Sequence, residues 1–193
     1  MKLFQAPKKS LGQNFLVDTN IINKIVKIAN ITKNSTVLEI GPGYGNLTEK
    51  ILLQNPKKIT TVEKDNKLAL FLKEKFISNK NVKVANKDIL EVLGENNLSE
   101  RNIVFGNLPY NISTKILASL ILLKKWPPWY SILIFMFQKE VANRIIGKAK
   151  TKDFGRLSVL ANWRFDIKKH FDISRNSFFP KPKVDSTLLS FVP

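Results

Sequence analysis

The chain has 193 residues, 44% of them hydrophobic, enough to bury one continuous core and too many for a disordered chain. Lys and Arg total 32 against 15 Asp and Glu, a net charge of +17. A field of that sign attracts polyanions, and nucleic acid is the first candidate partner because Lys and Arg contacts to phosphate release condensed counterions. With no Cys, the sequence excludes disulfides and thiolate metal sites, and a single His speaks against a zinc site or a His-based triad, so no metal is expected.

A Lys- and Asn-rich composition also follows from nucleotide bias in a source genome, which would explain Lys outnumbering Arg but not the shortage of acids. His170 reads as a surface or strand-end residue. No apolar run reaches membrane-spanning length, and no signal peptide precedes the first motif. The expectation is a soluble, cytoplasmic, monomeric protein forming one domain over residues 1–193.

Residues 1–19 are basic and irregular at first, with Lys8 and Lys9 before Ser10-Leu11-Gly12. Asp18 and Thr19 are N-cap candidates for a helix carrying Ile21, Ile22, Ile25, Val26 and Ala29 on one face. Strands and helices then alternate. Thr36 to Ile40 reads as a strand ending in a Gly-rich turn, with Leu47, Ile51 and Leu52 on the helix after it. Ile59 to Glu63 is a β-branched second strand, and Leu68 to Phe76 a helix.

Val82 to Ala85 makes a short third strand and Asn102 to Phe105 a fourth, followed by a helix over Ile116 to Leu123. Trp126-Pro127-Pro128-Trp129 must be a loop, since two prolines stop helix and sheet alike. Ser131 to Phe137 is a fifth strand, Val141 to Ile146 and Leu157 to Trp163 are helical, and Arg164 to Phe171 and Thr187 to Val192 pair antiparallel at the sheet edge. The pattern predicts an α/β fold, a mostly parallel sheet covered by helices on both faces, with a ligand crevice beyond the carboxyl ends of the strands.

The candidate site residues fall at those ends. Glu39-Ile40-Gly41-Pro42-Gly43-Tyr44-Gly45 joins the first strand to a helix, and its glycines permit a tight turn and close approach of a ligand to the backbone. The same residues also suit an ordinary turn, and their G-x-G-x-G spacing differs from the dinucleotide fingerprint G-x-G-x-x-G. Glu63 ends the next strand, where an acid can accept both hydroxyls of an adenosine ribose. That placement serves NAD and S-adenosylmethionine equally. Asp88 follows the third strand, either to accept from an adenine amino group or to cap a helix.

Asn107-Leu108-Pro109-Tyr110 is the sharpest local signal. An adenine amino group is a poor nucleophile because its lone pair is delocalised into the ring. Two acceptors aimed at its hydrogens, the Asn107 side-chain carbonyl and the Leu108 backbone carbonyl, would localise that pair. Pro109 restricts Leu108 to extended geometry, and Tyr110 offers a flat face for stacking. Catalysis by such a group is positioning plus electrostatics. An extruded base would need a second face. Phe178 in Ser177-Phe178-Phe179-Pro180-Lys181-Pro182 supplies one, with Phe179 as the competitor and core packing as the alternative for either.

These motifs together resemble the ribosomal RNA adenine dimethyltransferases of the small subunit. The resemblance spans nearly the whole chain, from Lys9-Ser10-Leu11-Gly12-Gln13-Asn14-Phe15-Leu16 through Asn107-Leu108-Pro109-Tyr110-Asn111-Ile112-Ser113 and Gln138-Lys139-Glu140-Val141-Ala142 to Phe178-Phe179-Pro180-Lys181-Pro182-Lys183-Val184-Asp185-Ser186. It implies a Rossmann-like class I methyltransferase with a seven-stranded sheet. Asn14, Leu16, Gly41, Glu63, Asp88 and Asn107 would line the S-adenosylmethionine site, with Gly43 in the same turn, and Tyr110 and Phe178 would sandwich the target adenine.

The resemblance further implies dimethylation of two adjacent adenosines near the 3′ end of 16S rRNA, release of S-adenosylhomocysteine, and a role in small-subunit assembly. Family members continue into a small helical C-terminal domain, which would be absent after Val192-Pro193. Three other functions compete: the related methylation of 23S rRNA that confers macrolide resistance, a nicotinamide-dependent oxidoreductase, and a basic assembly factor without catalysis. Arg144, Lys148, Lys150 and Lys152 are candidates for tracking RNA phosphates beside the site, or form a solvated loop.

Overall fold

A computed structural model describes residues 7–8, 12–94 and 102–193. Lys9, Ser10 and Leu11 of the opening motif lie outside the described residues. The chain runs β1 (Phe15–Leu16), α1 (Thr19–Ile28), β2 (Thr36–Ile40), α2 (Asn46–Leu52), β3 (Lys58–Val62), α3 (Asn66–Lys75), β4 (Val82–Ala85) and α4 (Ile89–Gly94). It continues with β5 (Asn102–Asn107), α5 (Ser113–Ile121), β6 (Tyr130–Gln138), α6 (Lys139–Ile145), α7 (Arg156–Arg164), β7 (Asp166–Ile173), β8 (Phe178–Phe179) and β9 (Ser186–Val192).

Seven strands form one sheet in the order β4-β3-β2-β5-β6-β9-β7. β4, β3, β2, β5 and β6 are parallel, and β9 runs antiparallel between β6 and β7. The expected antiparallel final pair is present, with β9 inside the sheet and β7 at its edge. Strand order reverses between β2 and β5, so the connections leaving these two strands diverge and open a crevice at their carboxyl ends.

Alternate residues of each strand feed two cores, because successive side chains point to opposite faces. Leu38, Val104, Leu133, Phe135 and Leu189 pack under the apolar faces of α4 to α7. Val37, Phe105, Ile134, Met136 and Leu188 pack with Ile22 and Ile25 of α1 and Ile51 of α2. Burial on both faces explains why β6 reads as a continuous apolar run. Among the described residues, no helix is long and apolar enough to cross a membrane.

Three local outcomes differ from the sequence reading. Asp18 alone caps α1, accepting from the N–H groups of Asn20 and Ile21, and Thr19 is already helical. Arg164 closes α7, and the strand expected from it starts at Asp166. A two-stranded antiparallel ribbon pairs Phe15 with Phe179 and Leu16 with Phe178. That ribbon ties the N-terminal segment to the Phe-Phe-Pro motif and positions one wall of the crevice.

Candidate active site

The crevice is lined by the ends of β2, β3, β4 and β5 and closed on one side by Gly12 to Phe15. Asn14, Gly41, Gly43, Glu63, Asp88, Asn107, Leu108, Pro109 and Tyr110 all reach its wall, so nine of the residues singled out in the sequence converge on one cavity. Gly41 and Gly43 adopt φ of +66° and +58°, in the left-handed region that favours glycine. A Cβ on Gly43 would sit 2.5 Å from the Phe15 ring, so the turn and the N-terminal segment approach each other only because that atom is missing. A Cβ on Gly41 would meet nothing nearer than the Asn107 carbonyl at 3.7 Å and would fill part of the cavity.

Glu63 is buried. Its Oε2 accepts from the Gly43 N–H at 3.2 Å and its Oε1 from the Asp65 N–H at 2.9 Å. Burial raises its pKa to about 7, against the lowering pull of those backbone donors. Asp88 does two jobs. Its Oδ1 caps α4 by accepting from the Leu90 N–H at 3.0 Å, and its Oδ2 pairs with Lys64 Nζ at 2.8 Å. The Lys64 ammonium and the Leu90 N–H hold Asp88 below the usual carboxylate range. The cap anticipated as an alternative is thus present on a side chain that also lines the cavity.

Asn107 donates from Nδ2 to the Asn14 carbonyl at 2.7 Å. Only the amide nitrogen can face a carbonyl at that distance, so the bond fixes the side chain with Oδ1 turned away from Asn14. Leu108 plants its side chain in the core at 1% exposure, and the Pro109 carbonyl accepts from the Ile112 N–H at 3.1 Å, closing a turn. The Tyr110 hydroxyl lies 2.7 Å from Ser186 Oγ. Burial raises the Tyr110 pKa.

Two expected site residues are absent from that wall: Phe178, and Leu16, which borders a smaller hollow with Phe15, Gly41 and Asn107. Leu16 and Phe178 pair with each other in the β1–β8 ribbon and bury their side chains in the core beneath α1. The Leu16 carbonyl accepts from Asn46 Nδ2 at 2.9 Å. Phe178 is 3% exposed and its neighbour Phe179 is 44% exposed. Strand pairing dictates this split, because adjacent residues of a strand face opposite ways.

Sequence reasoning missed the ties that hold the N-terminal segment in place. Gln13 Nε2 donates to Asp65 Oδ2 at 3.2 Å, Lys8 Nζ pairs with the same oxygen at 2.9 Å, and the Lys8 N–H donates to Gln13 Oε1 at 2.7 Å. Asp65 also caps α3. The only signal for it was an Asp at a helix start.

The arrangement suits an adenosine-bearing ligand. Glu63 brings a buried carboxylate to the cavity, Ile40, Val62 and Ile89 give it apolar walls, and Gly41 leaves room over the turn. Comparison with known proteins gives the family. A relative from Pelagibacter ubique, named ribosomal RNA small subunit methyltransferase A, is 53% identical over 192 residues, covering 99% of this chain and 72% of its own length.

Two solved structures share the class I methyltransferase fold. One is a dimethyladenosine transferase from Plasmodium falciparum, with TM-score 0.81 and 30% identity over 93% of this chain and 63% of the other. The second is the 23S rRNA methyltransferase ErmE, with TM-score 0.79 and 29% identity over 92% of this chain and 69% of the other. The family described as ribosomal RNA adenine dimethylase matches residues 5–193, and the chain belongs to that family.

Proposed function

We propose that this chain transfers methyl groups from S-adenosylmethionine to the exocyclic nitrogen of two adjacent adenosines near the 3′ end of 16S rRNA, giving dimethyladenosine within the small subunit or its precursor. The observation that carries the reading is Asn107, whose amide is locked by the Asn14 carbonyl at the end of β5, in the same cavity as Glu63. The small-subunit name of the Pelagibacter relative supports the choice of RNA.

S-adenosylmethionine, when bound, supplies a methyl group on a positively charged sulfur, a good leaving group. Glu63 would hold its ribose and Asp88 its adenine edge, with the glycines of the β2–α2 turn alongside. Asn107 Oδ1 and the Leu108 carbonyl would accept from the amine hydrogens of the target base and keep its lone pair localised. Tyr110 would stack on that base. Preorganised acceptors of this kind act without reorganising at the moment of reaction. For the opposite face of the base, Phe178, buried in the β1–β8 ribbon, competes with Phe179, whose ring is exposed, and alanine substitution of each separates them. The reading places the protein in the cytoplasm with the ribosome, as a monomer.

The test is transfer of labelled methyl groups to small subunits lacking the modification, followed by nucleoside analysis. Dimethyladenosine in 16S rRNA is expected. Label in 23S rRNA instead would assign the activity to the macrolide-resistance type. Asn107→Ala should lower transfer by roughly two to three orders of magnitude while RNA retention stays within about twofold. Equal loss of both would remove Asn107 from the chemistry, and unchanged transfer would leave the site without its carrying residue.

A further inference from the structure

The Tyr110 backbone is set by its turn, but nothing in that turn fixes the direction of the ring, which has two free torsions. The ring is held at its far end. Its hydroxyl lies 2.7 Å from the hydroxyl of Ser186, a residue 76 positions away in sequence and 0% exposed. Ser186 sits where three strands meet, opposite Gln138 of β6 and Ile173 of β7.

Its neighbours pin it on both sides. The Asp185 carbonyl accepts from the Lys139 N–H at 3.0 Å and the Asp185 carboxylate from the Arg175 N–H at 2.9 Å. The Thr187 hydroxyl donates to Asp172 at 2.8 Å, and Asp172 is paired with Lys139 at 2.7 Å and Lys169 at 2.9 Å. The hydroxyl of Ser186 is therefore mounted on a rigid corner, while Tyr110 projects from the loop after β5.

We propose that Ser186 is a positioning residue for methyl transfer, acting through its hydrogen bond to the Tyr110 hydroxyl to hold the ring face against the target base. The proposal rests on the reading that Tyr110 stacks on that base. It gives the Val184-Asp185-Ser186 segment a task that neither its position in the sheet nor its burial requires.

The test is a double-mutant cycle on the full chain with Ser186→Ala, Tyr110→Phe and the pair, read by methyl transfer to unmodified small subunits and by affinity for S-adenosylhomocysteine. Each single change should lower kcat roughly five- to tenfold, the worth of one hydrogen bond. The pair should be no worse than either alone, with S-adenosylhomocysteine affinity unchanged and the thermal midpoint lowered by no more than about 4 °C. Losses that multiply in the pair, or a Ser186→Ala defect that Tyr110→Phe does not share, would overturn the proposal.

Tyr110→Ala separates the two levels. If it costs no more than Tyr110→Phe, the ring is not a base platform and the stacking reading falls. If it costs far more while the cycle is additive, stacking stands and the role of Ser186 falls. No transfer by the unaltered chain overturns both.

Discussion

Glu39 and Glu63 end adjacent parallel strands as buried carboxylates, and burial raises each to a pKa of about 7. Glu39 takes a hydrogen bond from Thr48 Oγ1 at 2.6 Å, which offsets only part of the lost hydration. Folded Glu39 keeps its proton to about pH 7, whereas the unfolded chain releases it near 4.5. Between those values folding takes up a proton, so this residue's contribution to stability falls as pH rises and is lowest above 7. Glu39→Gln should therefore gain on the parent as pH rises, by on the order of 3 kcal/mol at pH 8, with a flat difference below 4.5. Urea unfolding at several pH values measures it, and a pH-independent difference would sink the idea. A second expectation concerns Asn107. Asn107→Asp keeps an acceptor but sets an oxygen against the Asn14 carbonyl where a donor now lies at 2.7 Å, so methyl transfer should fall about as far as in Asn107→Ala. Single residues were legible where their chemistry is scarce, as with a carboxylate or an amide at a strand end. The placement of Leu16 and Phe178 in a ribbon was not legible, because which face of it a residue takes depends on a partner 162 positions away (178 against 16).

At the scale of elements, the parallel strands and their helices were readable because each buried strand is a short β-branched or apolar run and each helix shows one apolar face. β1 and β8 were not, being two residues each and stable only as a pair. That ribbon and the Lys8–Gln13–Asp65 ties together hold Gly12 to Phe15 as one wall of the cavity. Gln13→Ala removes the central tie without touching the Asp65 cap on α3. It should weaken S-adenosylhomocysteine binding by roughly three- to tenfold, as expected for one or two hydrogen bonds, while the thermal midpoint moves by less than about 2 °C. Calorimetric titration and a melting curve give both values. A large drop in melting temperature with unchanged affinity would make the tie a device of folding alone.

The whole molecule carries +17, and the sequence announces that charge without saying where it acts. The fold supplies a location. α6 leaves the carboxyl end of β6, so its start shares an edge of the sheet with the candidate site. Arg144 lies in a hollow with Thr114, in the first turn of α5, and with Gly155 and Arg156 at the start of α7. Lys148, Lys150 and Lys152 follow on the exposed loop between α6 and α7, with Lys150 at φ +70°. Arg144 thus stands near the start of α5, just past Asn107 to Ser113, while Lys148 borders a second hollow with Trp163 and Lys169. If all four cations lie along one RNA track, they would meet the phosphates that flank the target adenosine. Binding of Lys or Arg to phosphate releases counterions, so its signature is the slope of log affinity against log salt rather than affinity at one salt concentration. Replacing Arg144, Lys148, Lys150 and Lys152 with Gln should flatten that slope by up to roughly 3 when all four meet phosphate, at about 0.7 for each contact on unpaired RNA. S-adenosylhomocysteine affinity should stay as it was, since none of the four lines its cavity. A slope equal to the parent's would move the RNA track to another face and leave these four as solvated charges.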